Sequence, residues 1–221
     1  MISARGLSKV FEDSTKNKIY AIKDINLEIQ DGEFIGVFGH PGAGKTTLIG
    51  MLSGLHTPTT GVVEYDNMNI STLRGQSFTK FRQENIGVIF RQFYLAPMLT
   101  VYENIEMAAN LVKASKEYIH EMIEKVDLVG KEDKYPDQLS HDEQQRVAVA
   151  RALIKRPRVL FCDEPTGSLD EEAGHGILNL INELTSQVIV FVATHKQDDP
   201  VLCSLADRVM TMRNGMIDTD R

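Results

Sequence analysis

Gly39-His40-Pro41-Gly42-Ala43-Gly44-Lys45-Thr46-Thr47 follows the apolar run Glu33–Phe38 and precedes residues that read as a helix ending near Gly54, with Pro58 beyond it. The stretch fits G-x-x-x-x-G-K-[ST] at every fixed position and sits in the strand-then-helix setting that the pattern requires. Glycines let the backbone wrap closely around phosphate oxygens, where a Cβ would obstruct the approach. The N-terminus of the following helix offers unpaired N–H groups and the positive end of its dipole. Lys45 adds a mobile point charge for the β- and γ-phosphates, and Thr46 offers a hydroxyl to Mg²⁺. Pro41 stiffens the loop and removes one N–H. The simpler reading, a glycine-rich turn that happens to precede a helix, leaves the lysine and threonine at their positions unexplained.

A second stretch points the same way. Val159-Leu160-Phe161-Cys162-Asp163-Glu164 is an apolar strand ending in two adjacent acids. Buried strands do not end in paired carboxylates without a counter-charge, and Mg²⁺ bridging phosphates supplies one. Asp163 is the expected acid on the metal side. Glu164 faces the other way and is placed to polarise an attacking water.

Outward from these stretches, the chain alternates strands and helices. Residues 19–29 alternate as a strand and turn at Asp31-Gly32. Val62–Tyr65, Ile86–Phe90, Val159–Cys162, Val188–Ala193 and Arg208–Met212 read as further strands, and Asn214-Gly215 turns the last into Met216–Asp218. Between Val101 and Leu153 apolar residues recur at helical spacing (Ile105, Ala108, Ala109, Val112; Ile119, Ile123, Val126), which predicts an inserted helical lobe. A helix is predicted over Ala173–Leu184. The fold class expected is α/β with a mixed, parallel-rich sheet and an N-terminal antiparallel β region. Residues 1–221 are expected to form a single domain, with the helical subdomain inserted at about 92–155.

The 42% hydrophobic and 25% charged residues are ordinary for a globular chain, and a net charge of −7 argues against broad phosphate neutralisation, so no nucleic acid is expected as partner. The N-terminal stretch MISARGLSKVF carries no apolar signal region, and runs such as VIVFVA at 188–193 are far too short to span a bilayer. A cytoplasmic location is expected, with any membrane role exercised through a partner. Cys162 and Cys203 show no metal-type spacing, and each sits in an apolar stretch that predicts a buried, reduced thiol.

The Gly39–Thr46 loop, RVLFCDEPTGSLD (158–170) and VATH (192–195) together resemble the ATP-binding subunits of ABC transporters in order and spacing, over essentially the whole chain. That resemblance implies a P-loop NTPase fold, ATP and Mg²⁺ as cofactors, and ATP hydrolysis. It implies Glu164, His195 and Lys45 as catalytic residues, a D-loop at Ser168-Leu169-Asp170 with Asp170 at the nucleotide, and Phe11 as the aromatic stacking on adenine. It implies a second ATPase protomer, identical or different, and an integral membrane permease that holds the chain at the inner face of the cell membrane. LTVYENI (99–105), EQQRVAVARAL (143–153) and DEPTGSLD resemble the subgroup for lipoprotein release and macrolide export, which implies export or extraction of substrate. The alternatives are a nucleotide-gated regulator with weak turnover and an ATPase of this type without transport. The segment Tyr94–Thr100, with Met98 and Leu99, is expected to pass motion to the permease unless those two are core residues.

The chain departs from that family in two places. The expected LSGGQ signature, which caps ATP held by the other protomer, reads Leu139-Ser140-His141-Asp142-Glu143. Ser140 and Glu143 predict a capping box at a helix start, with Ser140 the residue left to touch nucleotide. A carboxylate about 4 Å from a phosphate oxygen costs about 4 kcal/mol at an effective dielectric of 20, more than the 1–3 kcal/mol or so of a lost N–H contact. Repulsion is therefore expected to slow a homodimer unless His141 or Arg146 neutralises Asp142. The family also expects Gln straight after the strand at 86–90. Arg91 stands there, and it cannot ligate Mg²⁺. Gln92 is the residue left to reach nucleotide and metal through a one-position shift.

Overall fold

The computed structural model describes residues 1–12 and 14–221. Its elements in chain order are β1 (Ile2–Glu12), β2 (Lys18–Ile29), β3 (Phe34–Phe38), α1 (Lys45–Leu52), β4 (Thr60–Tyr65), β5 (Met68–Asn69), α2 (Gly75–Asn85), β6 (Ile86–Phe90), α3 (Val101–Ala109), α4 (Lys116–Lys125), α5 (His141–Leu153), β7 (Val159–Asp163), α6 (Glu171–Leu184), β8 (Ile189–Thr194), α7 (Pro200–Leu205), β9 (Arg208–Arg213) and β10 (Met216–Asp220). One sheet is antiparallel, in the order β2-β1-β4-β5. The other has six strands, in the order β10-β9-β3-β8-β7-β6, parallel except for β10.

Strand alternation explains how the layers sit. On β8, Val190 and Val192 face one side of the six-stranded sheet, where they join Phe38, Leu160 and Cys162 in a core with α3–α7. Ile189, Phe191 and Ala193 face the other side and pack with Val37, Phe161, α1 and the strands β1 and β2. Both faces are covered, so β3, β7 and β8 read as unbroken apolar runs, as buried parallel strands do.

The register brings the ends that matter to one edge. Phe38 pairs with Thr194, Ala193 with Asp163, and Asp163 with Phe90. The loops leaving β3, β6, β7 and β8 therefore emerge side by side at the carboxyl ends of the strands, the usual place for a ligand in an open α/β sheet.

Two elements correct the sequence reading. Helix α2 was not predicted, because GQSFTKFRQEN is polar and buries only Phe81. Cys203 is exposed rather than buried: α7 is a single short helix that turns Leu202 inward and its neighbour out. Cys162 is buried as expected, and burial pushes its thiol pKa up.

Candidate nucleotide site

The loop after β3 is shaped by its glycines. A Cβ at Gly39 would lie 2.7 Å from the Met212 carbonyl oxygen, and one at Gly44, with φ of 106°, would lie 2.6 Å from that of Ala21. Gly42 also has a positive φ, yet a Cβ there would meet nothing within 4 Å, so its backbone borders open space. The Gly39 N–H donates to the Thr194 carbonyl at 3.2 Å and that of Ala43 to His40 at 3.0 Å, which tie the loop to β8 and to itself. Gly44 occupies the N-cap of α1 and supplies no side chain to cap it. The first-turn N–H groups of α1 are thus left for an anion.

Lys45 is buried, with its ammonium donating to the Gly39 carbonyl at 2.6 Å and lying 3.4 Å from Glu164 Oε1. Asp163, at the end of β7, is 8% exposed, and the Thr46 side chain lies beside its carboxyl. Burial holds its carboxyl above the usual range, against the opposing pull of the neighbouring Thr46 side chain. Its Oδ1 is buried without a partner. A hydroxyl and a carboxylate with an orphaned oxygen are the hard donors that Mg²⁺ takes, so these residues fit the metal.

Glu164 has a φ of 54°, an uncommon left-handed conformation for a non-glycine residue. It is fixed by its N–H donating to Ala193 at 2.8 Å and by Gly167 N–H donating to its carbonyl at 3.0 Å. The turn aims its carboxylate between Lys45 and His195: Oε1 faces the Lys45 ammonium, and Oε2 lies 2.6 Å from His195 Nδ1. The predicted residues Lys45, Thr46, Asp163, Glu164 and His195 are brought together.

Others lie apart from this cluster. Ser140 and Asp170 cap α5 and α6, and Ser140 and Glu143 form the predicted capping box. Phe11 is 40% exposed on β1, with Lys9 Nζ 5.1 Å from its ring centroid and His56 edge-on. Arg91 lies over Gly167, where a Cβ would come 3.1 Å from its Nε, and its carbonyl accepts from Ser168 Oγ at 3.1 Å. Gln92 is exposed. Asp142 pairs with Arg146, the neutralisation that the sequence left open.

Two residues went unread. Gln145 is fully buried, and its Nε2 donates to the Pro165 carbonyl at 2.7 Å, joining α5 to the turn that carries Glu164. Arg151 donates to the carbonyls of Phe93 and Tyr94 at 2.7 and 2.6 Å, joining α5 to the segment after β6. Polar residues among the apolar positions of EQQRVAVARAL were the available signal.

The family model described as ABC transporter matches residues 22–167. Methionine import ATP-binding protein MetN 2 of Listeria monocytogenes is 40% identical, over 98% of this chain and 64% of its own length, so the chain spans under two thirds of that relative. An uncharacterized ABC transporter ATP-binding protein of Methanocaldococcus jannaschii is 37% identical over 98% of this chain and 97% of its own. Among solved structures, the ATP-binding cassette MJ0796, a dimer in a post-hydrolysis state bound to ADP and Pi, matches with a TM-score of 0.90 and 31% identity over 100% of this chain and 98% of that one.

Proposed function

The chain belongs to the ABC transporter family of ATP-binding domains, and from that premise we propose that it is the subunit that couples ATP hydrolysis to a separate membrane permease, working as a pair with a second ATPase protomer. The observation that carries the reading is the cluster of Lys45, Thr46, Asp163, Glu164 and His195 at the strand ends. Residues 1–221 act as one ATPase domain, with the lobe at about 92–155 as its moving part.

Residues 39–47 wrap the phosphates through backbone N–H groups, and Phe11 offers its exposed ring to the adenine. Lys45 exchanges its contacts with Gly39 and Glu164 for the β- and γ-phosphates. Thr46 and Asp163 hold Mg²⁺, with Gln92 the further candidate, and bound Mg²⁺ supplies charge neutralisation to the phosphates. Glu164 orients the attacking water and takes up its proton, while His195 donates to the γ-phosphate and keeps Glu164 in place. The bond between the β–γ bridging oxygen and the γ-phosphorus breaks, leaving ADP and phosphate. Asp170 and Ser140 meet the nucleotide across the pair. The dimeric form of the similar cassette supports the pairing of two protomers.

No helix among the described residues is long and apolar enough to cross a membrane. On this reading the permease supplies the passage, and this chain sits against it at the inner face of the membrane. The expected direction, export or extraction, gains no support from relatives named for methionine import, and direction belongs to the membrane subunit.

Glu164→Gln is expected to lower Mg-ATP turnover by roughly 100-fold or more while leaving nucleotide binding intact, as loss of a positioned base does. Turnover near the parent rate would remove Glu164 from the chemistry.

A further inference from the structure

Asp142 stands where the family resemblance leads one to expect glycine, and the structure gives its carboxylate a partner. It is the second residue of α5, after the N-cap Ser140. A free carboxylate there would compete with an incoming anion for the helix N-terminus. Instead, its Oδ2 accepts from Arg146 Nε at 2.9 Å, one turn further along. The same guanidinium donates through Nη1 to Asp127 Oδ2 at 2.8 Å and to the Val126 carbonyl at 3.3 Å, just beyond α4. Arg146 is only 18% exposed, whereas Asp127 is 78% exposed and screened by solvent. The guanidinium is thus held from two sides, and it draws the Asp142 carboxylate down the flank of α5. The Glu143 N–H is taken by Ser140 Oγ, while the N–H groups of His141 and Asp142 have no partner within the helix.

We infer that Arg146 is a positioning residue that masks the charge of Asp142, so that the N-terminus of α5 stays open to the terminal phosphate of an ATP held by the second protomer. The inference rests on the two-protomer reading above and deepens it. A pair of identical chains is then competent despite the altered signature, and the slow homodimer expected from Asp142 repulsion does not follow.

The test is ATP-dependent pairing of the whole chain, measured by sedimentation with Glu164→Gln as background to block turnover. The variants are Arg146→Gln, Arg146→Lys, Asp142→Gly and the Asp142→Gly/Arg146→Gln double. Arg146→Gln is expected to weaken pairing on the order of tenfold at low salt, with the loss shrinking as salt rises. Arg146→Lys is expected to retain most of the pairing, since it keeps the charge. With Asp142→Gly present, Arg146→Gln is expected to have little further effect. The double variant also lacks the Asp127 contact, so a mere packing or folding defect would persist in it. An equal loss from Arg146→Gln with and without Asp142, or no loss at all, overturns the inference alone. A parent chain that stays monomeric with ATP overturns the two-protomer reading and the inference with it.

Discussion

Asp163 has a buried carboxylate oxygen that meets no donor, and burial raises its pKa. A raised folded-state pKa means that this group favours the native state only in its protonated form, and the benefit is lost as pH rises through the folded value. At neutral pH the ionised acid therefore costs native stability until a cation meets it. Asp163→Asn is expected to raise the melting midpoint of the nucleotide-free chain by about 2–4 °C, the shift that about 1 kcal/mol gives in a chain of this size. It is also expected to abolish the extra stabilisation that Mg²⁺ adds to ATP. A thermal-shift titration with and without the metal checks both; a lowered midpoint would show that the charge is compensated by some other means. Residue types at fixed spacing made Lys45, Thr46, Asp163 and Glu164 legible from sequence, because backbone continuity places them. The tie from Arg146 to Asp127 was not legible, since it joins residues whose proximity only the packing of α4 on α5 creates.

At the scale of the element, α5 is the part that touches the most functions. Its start was readable from Ser140 and Glu143, and the observed capping box agrees. What the periodicity concealed is that Gln145 faces the core and holds the Pro165 carbonyl. Gln145→Leu keeps the bulk but leaves that carbonyl unpaired, which costs about 1–3 kcal/mol, partly offset by loss of the buried, unpartnered Gln145 Oε1. The turn carrying Glu164 is then less firmly placed. Steady-state kinetics should show kcat falling by about tenfold with KM for ATP little changed, since misplacement of a reacting group costs rate rather than binding. An unaltered kcat in a folded variant would leave Gln145 with a packing role only. Elsewhere, β1 escaped a direct assignment because Arg5-Gly6 interrupts its alternation. The structure answers with a register shift across that point in the pairing of β1 with each of its neighbours, β2 and β4.

Over the whole molecule, the alternation of strands with helices was enough to anticipate a parallel-rich sheet, and helical spacing the insertion, since burial on two sides leaves unbroken apolar runs on β3, β7 and β8. The groove where the insertion meets the sheet was not readable, because part of its wall, Thr79, Arg82 and Gln83, comes from the unpredicted α2. This groove of about 440 Å³ is lined by Leu55, Phe90, Leu111, Arg82, Arg151 and Lys155 among others, and no acid lines it. Burial and the neighbouring Arg82 and Arg151 lower the pKa of Lys155, whose ammonium donates to the Ile86 carbonyl at 2.8 Å. Phe90 also packs edge-on against Tyr94 at 5.4 Å, and Arg151 holds the Tyr94 carbonyl, so the groove is continuous with the segment after β6. Met98 in that segment is 83% exposed and is not a core residue. An apolar channel with three cations and no internal counter-charge suits a partner helix that carries a carboxylate among apolar residues. Arg82→Glu places a like charge against such a helix. It is expected to reduce co-purification with the permease by about tenfold or more, since an opposed charge costs several kcal/mol. Turnover of the isolated subunit should change far less, because Arg82 lies on α2 and outside the nucleotide cluster. Undiminished permease binding by Arg82→Glu would move the docking face off this groove.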